Sequence, residues 1–201
     1  MTTPRDLLTV ALDVGSSRTI ERGDLSLVLA GAEVIDLLDA QALALEGDRI
    51  VPGARWMPPD SLLDEAASAL VREAPYESVE DWLWRRGRGL ADVYVAALER
   101  EGQLTRQRHR WIPVDTGRTA LADSPARRRA ADRWASGEPV LAALAATLGI
   151  GEPPAGDAPE IADDSVVTVL AAVNDAVMEL EAVRQRRAIE EAAYDNIWRV
   201  P

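Results

Sequence analysis

Apolar residues at helical spacing, in segments that begin at capping residues, limit this chain to a largely helical fold. After Asp24, apolar residues recur every three or four positions from Leu25 to Ile35, as they do on one face of an α-helix. Ser61 and Ser78 are each followed three residues later by an aspartate, a pairing typical of a helix N-terminus. Comparable signals predict further helices beginning near residues 5, 90, 124, 139 and 163.

Extended segments are few and short. Leu43 to Val51 folds back at the turn Glu46–Arg49, and Gln103 to Thr116 alternates weakly, so each predicts a two-stranded hairpin. Prolines and glycines make Ile150–Glu160 the clearest loop, yet no linker is long enough to separate two domains. We therefore expect a mainly α fold, a single-domain helical bundle with two short β-hairpins over residues 1–201.

Composition narrows the class of protein further. Hydrophobic residues make up 47% and charged residues 28% of the 201 residues, as in ordinary globular domains. Cysteine is absent and His109 is the only histidine, which excludes disulfides and thiolate or polyhistidine metal centres. We also expect no other metal site and no cofactor. The apolar stretch from Pro139 to Gly151 is too short to span a bilayer, and Arg5 and Asp6 interrupt any signal peptide. A cytoplasmic protein, or one peripheral to the inner face of the membrane, is expected.

Charge is distributed unevenly along the chain. The net charge is −12, which disfavours nucleic acid and anionic membranes as partners. Between Trp82 and Arg133, however, 12 arginines face only 6 acidic residues. Such asymmetry can orient a protein against an anionic surface, although a solvated arginine-rich face is an equally open reading.

Motifs for catalysis are missing. Asp13–Arg18 resembles the first phosphate loop of actin-like and sugar-kinase ATPases, but those folds need a much longer chain, so we interpret it as a polar turn. His109 has no serine, cysteine or metal partner placed near it. The chain contains no Walker loop, GxGxxG or GxSxG motif, and we expect no enzyme.

Two groups of arginines with neighbouring tryptophans are candidate lipid contacts. Arginine offers paired donors to phosphate, and tryptophan suits the bilayer interface. The alternative for the first group is that Trp82 lies in the core with its arginines merely exposed. Arg127, Arg128 and Arg129 are interpreted as a solvated helix face. The first group is Trp82, Trp84, Arg85, Arg86 and Arg88, and the second, in the second hairpin, is Arg106, Arg108, Arg110, Trp111 and Ile112.

Two other classes of function stay open. Leu98–Thr105, a hairpin and Val114–Leu121 together resemble the helix and wing of winged-helix regulators, whose wing arginines would contact DNA phosphates. The net charge of −12 and the lack of a clear basic recognition helix oppose this reading. A scaffold that binds only proteins would instead expose a large apolar patch.

Four segments in order resemble the Golgi phosphoprotein 3 family, whose bacterial members are common in actinobacteria. "LSLVLAGAEVIDLLDAQALAL" is similar to its most recognisable helix, and "DWLWRRGRGLADVYVAALEREGQLTR" to its tryptophan helix and the helix before its hairpin. "DLLTVALD" is similar to the opening segment, and "SVVTVLAAVNDAVMEL" with the C-terminal helix to the last two helices. The similar segments are Asp6–Asp13, Leu25–Leu45, Asp81–Arg106 and Ser165–Leu180.

The resemblance implies a helical, non-catalytic domain that binds phosphatidylinositol 4-phosphate at the membrane surface. It also implies a homo-oligomer through a hairpin that, in Golgi members, is hydrophobic and enters the bilayer. One arginine of the headgroup site corresponds to Arg88. The site's tryptophan and its other two arginines correspond to Glu21, Ala30 and Ala91, and the hairpin is polar here.

Overall fold

The computed structural model describes residues 2–13, 20–54, 60–106, 119–151 and 161–197. Within them the chain is mainly helical, as expected, with two small antiparallel sheets, β1–β2 and β3–β4. The strands are β1 (Leu43–Glu46), β2 (Arg49–Pro52), β3 (Leu104–Arg106) and β4 (Thr119–Leu121). The helices are α1 (Thr3–Asp13), α2 (Arg22–Asp39), α3 (Ser61–Ser68), α4 (Val79–Arg86), α5 (Leu90–Arg100), α6 (Pro125–Ala135), α7 (Pro139–Thr147) and α8 (Asp164–Ile197).

Helix α2 is the centre of the core and is buried along most of its length. It packs against α1, α4, α5 and α8. A Cβ atom at Gly31 would lie only 2.2 Å from Val173 Cγ2, so α2 and α8 pack closely because this position lacks a side chain. The apolar run predicted from Leu25 to Ile35 is therefore confirmed as a core helix.

Several predicted helix starts are confirmed, and two differ. Ser78 accepts a hydrogen bond from Asp81 N at 3.0 Å, and Ser124 accepts one from Arg127 N at 3.1 Å. For α3 the cap is Asp60 rather than Ser61, with Oδ1 accepting from Leu62 N at 3.0 Å. Asp24 lies inside α2, because that helix begins a turn earlier at Arg22.

The last helix and the second hairpin also depart from expectation. The helix predicted to begin near residue 163 is confirmed as α8, but it is one continuous helix where the resemblance implied two, and its sequence contains no glycine or proline to break it. In the second hairpin β3 pairs with β4, Leu104 opposite Leu121, so the second strand lies beyond Thr116, where the predicted hairpin ends. Four of its candidate residues (Arg108, Arg110, Trp111 and Ile112) and His109 lie outside the described residues, as does most of the segment resembling a phosphate loop.

Helix α1 is buried although it carries charged residues. The Arg5 guanidinium contacts Asp60 and donates to both Glu101 carboxylate oxygens, at 2.8 and 2.9 Å. On another side, Asp6 accepts from Arg133 Nη1 at 3.0 Å. Because each of these charges is paired, α1 can pack against α2, α6 and α7 without leaving an isolated charge in the interior.

The contact between α1 and α2 makes stability depend on pH. Thr3 N donates to Asp36 Oδ2 at 2.7 Å, and burial raises the pKa of Asp36 from 3.8 to about 6, against the lowering effect of Thr3. A carboxyl whose pKa is raised on folding stabilises the fold below pH 3.8, and this contribution is lost as the pH rises through about 6. The wild-type protein should therefore lose about 1–2 kcal/mol relative to Asp36→Asn between pH 4 and pH 7, measured by urea unfolding. Parallel stability curves for the two proteins would contradict this.

Candidate functional site

Trp82 lies in the core and not on the surface. Its side chain is fully buried, and its indole Nε1 donates to Ala30 O, at 3.2 Å, on α2. An indole held in this way has no access to a lipid headgroup. The expectation that Trp82 contacts a membrane is therefore not supported by its position, because α4 packs this side chain against α2.

Arg86 is also turned inward, toward a buried carboxylate. Its Nε and Nη2 donate to the two oxygens of Glu33, at 2.8 and 2.9 Å, and Tyr94 Oη donates to the same carboxylate at 3.0 Å. The Glu33 side chain is 0% exposed, and burial raises its pKa even though Arg86 and Tyr94 act in the opposite direction. Burial and the neighbouring Glu33 also raise the pKa of Tyr94. Arg86 therefore compensates a core charge and is not available to an external anion.

Arg85 is nearer the surface but already has partners. Its guanidinium makes two hydrogen bonds to Glu77, at 2.6 and 2.7 Å, and one to Ala69 O at 3.1 Å. The hydrogen bond to Glu77 raises the pKa of Arg85, with burial acting against it. The guanidinium carbon also lies 5.1 Å from the centre of the Trp82 ring. An incoming phosphate would have to displace Glu77.

Arg88 and Trp84, in contrast, line an open groove of about 250 Å³ between α2, α5 and α8. Arg88 is exposed and makes no hydrogen bond or ion pair with any residue that the structure describes. Trp84 is half-buried, and Leu27 and Leu180 complete an apolar wall. Of the first candidate group, the structure thus places two members together at a surface where a ligand could reach them.

Two glycines shape the chain where the groove forms. A Cβ atom at Gly87 would lie 2.5 Å from Leu83 O, so this turn is too tight for a side chain. Gly89 adopts φ +69° at the start of α5, a conformation that favours glycine. Together they end α4 and begin α5 within three residues, and Arg88 is exposed between them.

A second cation, Arg22, reaches the groove from the first residue of α2. Its Nη1 lies 3.1 Å from Asp92 Oδ1, and both side chains are largely exposed. Behind them Ser26 Oγ donates to Arg22 O at 2.8 Å and accepts from Ala91 N at 3.0 Å, which joins the beginnings of α2 and α5. Sequence reasoning missed Arg22, because it lies far along the chain from the arginine-rich segment and its neighbours have no distinctive pattern.

The other positions implied by the resemblance do not add donors. Ala30 and Ala91 are buried, and Glu21 is an exposed carboxylate at the N-terminus of α2. On helix α6, Arg127 pairs with Asp13 and Arg128 with Asp123 at 2.7 Å, so these two arginines are largely compensated. Arg106 is the last residue of β3.

A second cleft has the opposite charge. It measures about 230 Å³ and is lined by the carboxylates of Asp48, Glu80, Asp175 and Glu179. A phosphate would be repelled there. In the described part of the chain no three His, Cys, Asp or Glu side chains are arranged to hold a metal ion. None of the helices in that part combines the length and apolar character needed to cross a membrane.

Fold and groove together define a mainly helical protein with a basic, tryptophan-lined surface groove. The chain belongs to the Golgi phosphoprotein 3 family (GPP34), whose family model matches residues 4–192, nearly the whole chain. No curated protein is significantly similar to it.

Proposed function

We propose that this protein is a non-enzymatic peripheral membrane adaptor that binds the phosphate of an anionic lipid headgroup in the groove of Arg88 and Trp84. The observation that carries the proposal is the exposed guanidinium of Arg88, which has no partner in the described part of the chain and lies on an apolar wall. The family is not a known family of enzymes, and a Golgi phosphoprotein-like role follows from membership in it.

The chemistry of the groove suits a phosphate at a membrane surface. A guanidinium offers two parallel donors to phosphate oxygens, and an uncompensated one gains most from such a ligand. Trp84 and Leu180 provide an apolar surface beside it, and an indole is favoured at the boundary between headgroups and acyl chains. By family resemblance, the headgroup is phosphatidylinositol 4-phosphate.

The negative net charge of the whole chain is consistent with reversible attachment to a membrane. The chain as a whole carries −12, so an anionic membrane repels most of its surface and attracts only local basic regions. Attraction of this kind is screened within about 8–10 Å at physiological salt. Binding should therefore require the groove itself and weaken steeply as salt is raised.

We expect Arg88→Gln to reduce binding to vesicles that contain phosphatidylinositol 4-phosphate by about tenfold or more, because one charge-assisted contact to phosphate is lost. The measurement is co-sedimentation at moderate salt with neutral, phosphatidylserine-containing and phosphoinositide-containing vesicles. Arg72→Gln is the matched control, since Arg72 is exposed outside the groove, where it donates a 3.4 Å hydrogen bond to Ala67 O.

Vesicle binding of wild type and the two variants shows whether the headgroup site exists and which lipid it prefers. Binding that needs the phosphoinositide and is lost in Arg88→Gln but not in Arg72→Gln supports the headgroup site. Equal binding of wild type and both variants, absence of binding to every vesicle, or tight binding to duplex DNA would contradict it. Binding to any anionic vesicle, still dependent on Arg88, would retain the groove but remove the preference for a phosphoinositide.

A further inference from the structure

The exposed ion pair between Arg22 and Asp92 crosses the groove that contains Arg88. The Arg22 side chain is 83% exposed and that of Asp92 is 63% exposed, with Nη1 and Oδ1 3.1 Å apart. Ion pairs this exposed contribute little to stability, because water screens the charges and two mobile side chains must be held together. An anion of higher charge density can therefore displace the Asp92 carboxylate with little loss of stabilising free energy.

The backbone behind this ion pair is fixed. Ser26 Oγ joins Arg22 O to Ala91 N by hydrogen bonds of 2.8 and 3.0 Å, and Ser26 itself is buried. The starts of α2 and α5 are thus held together whether or not the side chains touch. Release of Arg22 from Asp92 would require only side-chain rotation, without movement of either helix.

Asp92 is in direct competition with any anion in the groove. It lies in the first turn of α5, where the helix dipole favours a negative charge. A phosphate that enters beside Arg88 meets one guanidinium without a partner in the described part of the chain and a second, that of Arg22, which is already paired. Removal of the Asp92 charge would release Arg22 from its ion pair. It would also eliminate the repulsion between the Asp92 carboxylate and the phosphate.

We infer that the Arg22–Asp92 ion pair is a latch on the groove, in which a phosphate group displaces Asp92 and takes Arg22 as its second cation beside Arg88. The inference rests on the proposed function and adds to it an internal competitor. Asp92 lowers the affinity and makes release fast, and Arg22 supplies a second guanidinium in the groove of Arg88. The ligand chemistry is a phosphate with oxygens free to contact two guanidinium groups.

Asp92→Asn should bind vesicles containing phosphatidylinositol 4-phosphate about two- to fivefold more tightly than wild type, the range expected for an exposed ion pair. Glu73→Gln is the matched control, because it makes the same change of charge at an exposed position outside the groove. Arg22→Gln should weaken binding. In the Arg22→Gln background the gain from Asp92→Asn should shrink, since only repulsion remains to be removed.

A soluble inositol phosphate separates a phosphate ligand from general membrane charge. It should release the wild-type protein from vesicles, and should also bind Asp92→Asn more tightly in a direct titration. Failure to compete, an Asp92→Asn affinity equal to or below that of wild type, or an equal gain in Glu73→Gln would overturn the latch. If Arg88→Gln still loses binding, the groove remains the membrane site and the latch fails. Failure of the inositol phosphate to compete removes the phosphate ligand as well. If Arg88→Gln binds as wild type does, the proposed function itself fails.

Discussion

Replacing Arg86 with leucine should lower the free energy of unfolding by about 3–5 kcal/mol at neutral pH, because Glu33 is then left charged and buried without its cation. The two hydrogen bonds from Arg86 to Glu33, at 2.8 and 2.9 Å, join α4 to the middle of α2. Tyr94 alone cannot compensate the carboxylate, since a neutral hydroxyl donates one hydrogen bond at 3.0 Å and carries no charge.

Urea unfolding followed by tryptophan fluorescence measures this loss. Arg128→Leu is the control for an exposed ion pair, because the Arg128 side chain is 59% exposed and that of its partner Asp123 is 77% exposed. That variant should change stability by only up to about 1 kcal/mol. Equal losses from the two substitutions would contradict the assignment of Arg86 to the core.

Two further observations should follow if an uncompensated Glu33 causes the loss. The defect of Arg86→Leu should diminish below neutral pH, because burial already raises the pKa of Glu33 and protonation removes its charge. Glu33→Gln combined with Arg86→Leu should recover part of the lost stability, since no unpaired buried charge then remains. A defect independent of pH and unchanged in the double variant would indicate lost packing instead.

Trp82→Ala should cost about 3–5 kcal/mol, the range for removing a large aromatic side chain from a core. Trp82 fills the space between α4 and α2, and its loss would also leave Ala30 O without the indole hydrogen bond. Urea unfolding, followed by circular dichroism because a tryptophan is removed, gives the free-energy change.

Trp82→Phe separates the core role from a membrane role. This variant retains most of the volume and loses the hydrogen bond, so we expect a loss of about 1–2 kcal/mol. The folded fraction should bind vesicles as wild type does. Reduced vesicle binding with unchanged stability would contradict the core assignment and return Trp82 to the headgroup site.

Local sequence was sufficient for much of the fold. Ser78 and Ser124 cap their helices through contacts three residues along the chain, which is why their pattern is readable. The long apolar run of α2 similarly predicts a buried helix. The exact start of α2 was not predicted, because Arg184 on α8 pairs with Asp24 inside the first turn, at 2.8 Å, a contact between distant parts of the chain.

The candidate site could be predicted only in part. Arg85, Arg86 and Arg88 are close neighbours in sequence but differ in their surroundings. The first is half-exposed and pairs with Glu77, the second lies against a core carboxylate, and the third faces the groove. The difference depends on Glu33, which is 53 residues away from Arg86 and looks like an ordinary polar position of α2. Arg22 lies in the same groove as Arg88 because the beginnings of α2 and α5 are adjacent in space. A local sequence pattern does not predict that proximity.

The depth of Trp84 in a bound membrane shows whether the groove of Arg88 and Trp84 is the surface that faces the lipid. Trp84 lines the groove beside Arg88, so bound vesicles carrying phosphatidylinositol 4-phosphate and brominated acyl chains should quench its fluorescence. The contribution of Trp84 is the difference between wild type and Trp84→Phe. If the groove faces the membrane, quenching is confined to this difference and is lost in Arg88→Gln. Equal quenching of wild type and Trp84→Phe, at equal binding, would mean that another surface faces the membrane and would refute the proposed headgroup site.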